Sequence, residues 1–308
     1  MNGKTIVRVI TGPTGSGKSR MALRLAEEMG FDIICMDSMQ IYRRMDIGTA
    51  KPTLEEQGRV RHHMLDILEP AESFTVSEYR DMAEDTVRKL AEEGREALFV
   101  GGTGLYLQSM VHPMAMGAVP ADENLRNELR ALAAEPEGRE RLHEMLRELD
   151  PATAERLPLN DIRRIIRAIE VTRATGVPFS EQPDREIPSP FEWRIVSTAL
   201  PREELYRRIN LRVDEMIKAG LADEVEGLLK EGVPENAQSM AGLGYKEMIP
   251  YIKGFCTLEE AAYAIKLGTR HYAKRQITFL KRESAVRYAD VSSESVYDEI
   301  RNVLVNPR

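Results

Sequence analysis

The alternation of apolar and polar positions divides the chain into three regimes. Thr5-Ile6-Val7-Arg8-Val9-Ile10 is a short β-rich run. A glycine-rich break follows, then Met21, Leu23, Leu25 and Met29 on a helix-forming background that stops at Gly30. Phe31 to Met36 predicts a second strand, and Ala97 to Val100 a third. Between these two, Tyr79, Met82, Ala83, Val87 and Leu90 recur at helical spacing and predict a helix over about 77–93. Strands alternating with helices predict an α/β core with a parallel sheet flanked by helices. From about Pro113 to Pro190 the β-rich runs cease. Helices are predicted at about 122–134, 138–149 and 161–174, with Pro136, Pro151 and Pro158 between them and Gly176 just past the last. Trp193 to Leu200 restores a strand. A helix from Pro201 to Gly220, a short acidic helix reaching Glu231 and a long helix over about 258–282 follow. The chain is therefore divided into core at 1–115, an all-helical insertion at 116–191 and core again at 192–308.

The first break, Gly12-Pro-Thr-Gly-Ser-Gly-Lys-Ser19, fits the P-loop pattern G-x-x-x-x-G-K-[ST] and stands between a strand and a helix, the context this pattern needs. Glycines let successive N–H groups face inward as an anion nest, and the helix N-terminus adds partial positive charge. Lys18 supplies a mobile charge and Ser19 a hydroxyl for Mg²⁺ bridging two phosphates. A P-loop core and a polyphosphate or diphosphate site are expected, but the reaction is left open. In an open parallel sheet, ligands lie beyond the carboxyl ends of the strands. Asp37 stands there after the second strand, either as a reaction-centre carboxylate or as a loop or cap aspartate. Gly101-Gly102-Thr103-Gly104 follows the third strand, where a phosphate-cleaving P-loop enzyme would carry an acid. Thr103 offers one hydroxyl there, unless the segment is only a turn. His62 and His63 are adjacent, cannot share one face, and read as structural or solvated rather than as a metal pair.

Charge alters this picture locally. The net charge of −7 argues mildly against a nucleic-acid partner. Yet Lys266, Arg270, Lys274 and Lys281 form one stripe on the last long helix, and with Arg275 and Arg282 no acid falls among them. A solvated face normally mixes signs, so an anionic partner is expected. On the insertion's last predicted helix, Arg163 and Arg167 share a face, while Ile162, Ile165, Ile166 and Ile169 lie opposite. Two cysteines, Cys35 and Cys256, form no ligand cluster and suit a reducing compartment. No apolar run approaches a membrane span, and the first strand leaves no room for a leader, so a cytoplasmic protein without membrane contact is expected.

Five segments together resemble one family: GPTGSGKS at 12–19, DSMQIYRRMDIGTAKP at 37–52, GGTGLY at 101–106, GYKEM at 244–248 and RHYAKRQITFLKR at 270–282. In this order and spacing they resemble the bacterial tRNA dimethylallyltransferases, also called tRNA isopentenyltransferases. The resemblance implies a P-loop core whose helical insertion clasps the anticodon stem-loop of tRNA. It implies transfer of a dimethylallyl group from dimethylallyl diphosphate to the exocyclic amine of the adenosine 3′-adjacent to the anticodon. Some members carry a C-terminal zinc finger, for which this chain has neither cysteines nor length. With the residues' own chemistry, the resemblance implies Asp37 as general base and Thr103 as the group orienting the reactants. It implies Gly12, Thr14, Gly15, Ser16, Gly17, Lys18, Ser19 with Mg²⁺, and Arg212 around the diphosphate. It further implies tRNA contact by Asp37, Ser38, Met39, Gln40 and Thr103; by Arg126, Arg163, Arg164 and Arg167 of the insertion; and by Gly244, Tyr245, Lys246, Lys274, Arg275, Gln276 and Lys281. A monomer is expected. A small-molecule P-loop kinase would share the first twenty residues but would want an acid after Val100. A free-nucleotide prenyltransferase would have no use for the basic helix, and a non-enzymatic RNA-binding switch would leave Asp37 and Thr103 without purpose.

Overall fold

A computed structural model describes residues 4–113, 119, 121–182 and 188–306. These divide into a core unit, Met1–Val111 with Ser189–Arg308, and a second unit, His112–Pro188. The expected boundary at 115/116 lies outside the described residues.

The core unit is built on strands β1 (Thr5–Thr11), β2 (Asp32–Cys35), β3 (His62–His63), β4 (Ala97–Val100), β5 (Phe191–Ala199) and β6 (Val286–Asp290), in the order β3-β2-β4-β1-β5-β6. All neighbours pair in parallel. The inner strands β2 and β4 are buried at every position, as a sheet covered on both faces requires. Alternate residues of β1 feed opposite cores: Val7 and Val9 pack with Ile34, Phe99 and Ile195, whereas Ile10 packs with Ile33, Leu98 and Val196. Helix α1 (Lys18–Met29) starts at Gly17, held at φ 86°, and stops at Gly30, whose N–H returns to the Ala26 carbonyl. Its first turn carries no acid, which leaves its positive end uncompensated.

Several elements lay outside the pattern reading. Helix α2 (Leu54–Arg59) buries none of its residues and is set by a Thr53/Glu56 capping box. Helix α3 (Val76–Glu92) matches the expected segment and also starts on a capping box. The glycine segment after β4 turns at Gly104 into helix α4 (Gly104–Val111). His62 and His63 form the edge strand, where the His63 Nε2 pairs with Asp32 Oδ2 at 2.7 Å and His62 Nδ1 with the Val60 carbonyl.

The second unit is helical throughout its described elements: α5 (Glu123–Ala134), α6 (Gly138–Leu149), α7 (Pro151–Arg156) and α8 (Ile162–Thr175). Pro151, expected to separate helices, instead occupies the first turn of α7, where its missing N–H costs nothing. Leu129, Leu142, Leu146, Ile165, Ile166 and Ile169 form this unit's own core.

In the core unit's second half lie α9 (Arg202–Lys218), α10 (Leu221–Lys230), α11 (Tyr245–Ile252), α12 (Leu258–Leu280) and α13 (Val296–Val305). No helix among the described residues is long and apolar enough to cross a membrane.

Candidate active site

The carboxyl ends of β1, β2 and β4 bring three loops to one corner of the core unit. From β1 comes the P-loop. Its Thr14 N–H is occupied, donating to Gln276 Oε1 at 2.9 Å. The Ser16 hydroxyl is buried against Thr198 Oγ1 at 2.6 Å and its N–H closes a turn on the Pro13 carbonyl, so its side chain faces the core rather than a ligand. Gly12 is buried, Gly15 packs against Ile209 of α9 and Gly17 lies beside Arg208, while Ser19 is exposed on the first turn of α1. Arg208 is thus a further cation at the loop that the sequence reading left without a role, held by Glu204 at 2.6 Å.

Lys18 and Arg212 are half-buried and lie close enough to Asp37 for each to feel its charge. Burial, reinforced by repulsion from Arg212, pushes the Lys18 ammonium down to about 8 against a partial offset from Asp37. Burial likewise works against the Arg212 charge. Two cations crowded in a half-buried corner favour an anion of more than one charge between them.

From β2 comes Asp37, whose Oδ1 accepts the Met39 N–H at 2.9 Å. From β4 comes Thr103, whose Oγ1 accepts the Ser38 N–H at 3.1 Å. The glycines after β4 allow close approach to the β2 loop and to α12. A Cβ on Gly101 would sit 1.9 Å from the Met36 carbonyl oxygen, one on Gly102 2.3 Å from Gln276 Nε2, and one on Gly104 2.4 Å from the Phe279 ring. The glycine spacing therefore records contacts with β2 and α12. Tyr272 of α12, which the sequence reading passed over, lies near Thr103 and Gln276, and burial pushes its phenol up to about 12.

The rest of the 37–52 segment is a stiff loop. Gln40 Nε2 donates to the carbonyls of Thr49 and Ala50, and its Oε1 accepts the Cys35 thiol, so its amide is a strut rather than an RNA reader. Glu224 of α10 accepts the N–H groups of Asp46, Ile47 and Gly48 and the Tyr245 hydroxyl. Lys51 reaches Asp46 and Asp66 from a side chain that is 3% exposed. Met39 lies against Gly242, where a Cβ would come within 2.5 Å of its methyl group.

Several residues expected at RNA are turned inward. Tyr245 is fully buried against Gly48, and Gly244 caps α11 with its N–H on Glu247 Oε2. Gln276 is buried between the two loops. On the second unit, Arg126 and Arg167 both pair with the buried carboxylate of Glu170, which also accepts the Asp122 N–H. They lock α5 to α8. Arg163 and Arg164 of the same helix are exposed. On α12 the upper half of the basic stripe is committed, with Lys266 on Asp214 at 2.5 Å and Arg270 on Asn210 at 3.0 Å. Lys274, Arg275, Lys281 and Arg282 are exposed, as is Lys246 on α11. Lys274 and Arg275 line a hollow of about 440 Å³ with His271, Thr278, Phe279 and Arg282.

A family model described as IPP transferase matches residues 40–283. A tRNA dimethylallyltransferase of Pelotomaculum thermopropionicum is 43% identical over 97% of this chain and 96% of its own length. One from Desulforudis audaxviator is 45% identical over 92% of this chain and 91% of its own. Among solved structures, a tRNA isopentenylpyrophosphate transferase of Bacillus halodurans superposes with a TM-score of 0.72 at 39% identity, covering 97% of this chain and 95% of that one.

Proposed function

This chain belongs to the tRNA dimethylallyltransferase family, and on that premise we propose that its P-loop holds the diphosphate of dimethylallyl diphosphate while an adenine of tRNA enters from the β2 and β4 side. Its activity is tRNA prenylation. The acceptor we infer is the exocyclic amine of the adenosine 3′-adjacent to the anticodon. The observation that carries this reading is the convergence of Lys18, Arg212 and Asp37 with Thr103 beside them, an anion site and a proton acceptor at neighbouring strand ends.

Each residue then has a task. Asp37 is fixed through Oδ1 by the Met39 N–H, which leaves Oδ2 to take the amine proton as the nitrogen–carbon bond forms. As the carbon–oxygen bond breaks, negative charge gathers on the departing diphosphate, where Lys18, Arg212 and the P-loop N–H groups neutralise it. The allylic carbon tolerates positive character, so a weak nitrogen nucleophile suffices. Thr103 holds the Ser38 loop and orients the reactants near the bridging oxygen. Among the described residues no group of three or more His, Cys, Asp or Glu side chains could hold a metal ion. A divalent cation bound with the diphosphate would have the exposed Ser19 hydroxyl as protein ligand. This hard-oxygen set suits Mg²⁺, which would supply charge neutralisation on the phosphates. An adenine in a stacked anticodon loop must be extruded to reach the corner, with Ser38 and Met39 against it. RNA phosphates are assigned to Lys246, Lys274, Arg275 and Lys281 on the core unit and to Arg163 and Arg164 on the second. Cys35 and Cys256 are unpaired, which supports a cytoplasmic setting. We take the enzyme as a monomer.

The test is the identity of the donor. Labelled dimethylallyl diphosphate should label substrate tRNA with one diphosphate released per transfer and no requirement for ATP. Rapid, tRNA-stimulated phosphate release from ATP would favour a kinase-like reaction and sink the reading.

A further inference from the structure

Gln276 lies on a helix that presents Lys274 and Arg275 to solvent, but its own side chain points the other way and is 6% exposed. Its amide joins two loops. Oε1 accepts the Thr14 N–H of the P-loop at 2.9 Å, and Nε2 donates to the Gly102 carbonyl at 2.8 Å. The loops also meet directly, since a Cβ on Gly102 would stand 3.0 Å from the Gly12 carbonyl oxygen. A primary amide supplies one acceptor and one donor at the end of a single side chain, which is what this joint requires. An apolar side chain of the same size would leave a half-buried N–H and a buried carbonyl unpaired.

We propose that Gln276 is a positioning residue of the transfer reaction: by clamping the P-loop to the Gly101–Gly104 loop it sets the separation between the leaving diphosphate and the acceptor amine. This rests on the transferase reading above. The P-loop fixes the leaving group, and the loop after β4 carries Thr103, which holds the loop of the general base. A change in their spacing alters the line along which nitrogen approaches carbon. Displacements of about 1 Å in such geometry cost on the order of 10² in rate.

The test uses Gln276→Met, which keeps the volume and removes both bonds, and Gln276→Glu, which keeps the acceptor for Thr14 and loses the donor to Gly102. Measured for each are single-turnover transfer at saturating tRNA and dimethylallyl diphosphate, tRNA affinity, and the melting curve. Gln276→Met should lower the single-turnover rate by about 10- to 100-fold, with tRNA affinity within about twofold of the parent. Gln276→Glu should lose rate relative to the parent at alkaline pH and regain part of it in mild acid. There the protonated carboxyl again donates to Gly102, a dependence that a purely structural side chain would not produce. Parent-like rates in either folded variant would overturn the proposal. So would a rate deficit that disappears when tRNA concentration is raised, since that would make Gln276 an RNA contact. Absence of transfer by the parent under the same conditions would instead overturn the functional reading, and that control separates the two failures.

Discussion

Lys18 gives the account a pH dependence with a defined sign. Burial and the neighbouring Arg212 push its ammonium down to about 8. With that value the side chain is about nine-tenths charged at pH 7 and about one-tenth charged at pH 9. A diphosphate binds the charged form, and its own charge raises the lysine's proton affinity in the complex. Donor binding should therefore be nearly constant below pH 7 and weaken about tenfold between pH 7 and pH 9, or about 1.4 kcal/mol. An unperturbed lysine, at about 10.4, would change by only a few per cent over that range. Little else near the corner interferes. Tyr272 is pushed up to about 12, burial drives the Cys35 thiol upward, and a terminal phosphate has already lost its second proton, with a pKa of about 6. The assay is calorimetric titration of the tRNA-free enzyme with dimethylallyl diphosphate at constant ionic strength, in two buffers of different ionisation enthalpy. Proton uptake on binding should appear as pH rises through 8, and Lys18→Met should bind weakly with a flat profile. A flat profile in the parent, or a slope that survives in Lys18→Met, would refute the reasoning.

Two further outcomes follow from contacts in the core unit. Gly101→Ala places a methyl group 1.9 Å from the backbone oxygen of Met36, which cannot rotate away. It should cost about 1–3 kcal/mol of stability and reduce transfer, read by chemical denaturation and by single-turnover rate; a parent-like denaturation midpoint would contradict the packing described. Lys274→Ala and Lys281→Ala should each weaken tRNA binding and flatten the log–log salt dependence by roughly 0.7–0.9, while leaving dimethylallyl diphosphate binding unchanged. Lys266→Ala, whose ammonium already pairs with Asp214, should leave that slope near the parent's, and equal effects at all three positions would contradict the division of the stripe.

The corner of the site was legible because its signals are local. An apolar run ending in Asp37, a glycine loop between strand and helix, and a second run ending in glycines each announce the carboxyl end of a parallel strand. What held the corner together was not legible. Glu224 reaches the N–H groups of residues 46–48 from far along the chain, and Gln276 reaches Thr14 across nearly the whole of it. Nothing in the acidic pattern of α10 distinguishes Glu224 from its solvated neighbours. Strand β6 escaped because only Val286 and Ala289 of its residues are buried, which leaves no apolar run to detect. Arg126 and Arg167 were expected at RNA, yet they pair with Glu170, because an arginine face reads alike whether it meets RNA or a buried acid. A usable signal was present: Glu170 is the lone acid in α8, set among Ile166, Ile169 and Val171. Its burial required partners, and Arg126 and Arg167 are those partners.

The central claim is that Asp37 takes the proton from an adenosine amine while the P-loop holds the departing diphosphate. It is tested most directly by single-turnover transfer with Asp37→Asn beside the parent, followed by nuclease digestion and mass spectrometry of the tRNA. The parent should place one dimethylallyl group on the exocyclic nitrogen of the adenosine 3′-adjacent to the anticodon. Asp37→Asn should bind both substrates yet transfer about 10²–10⁴ times more slowly. Transfer by Asp37→Asn at the parent rate, or a label on another nucleotide, would contradict the account.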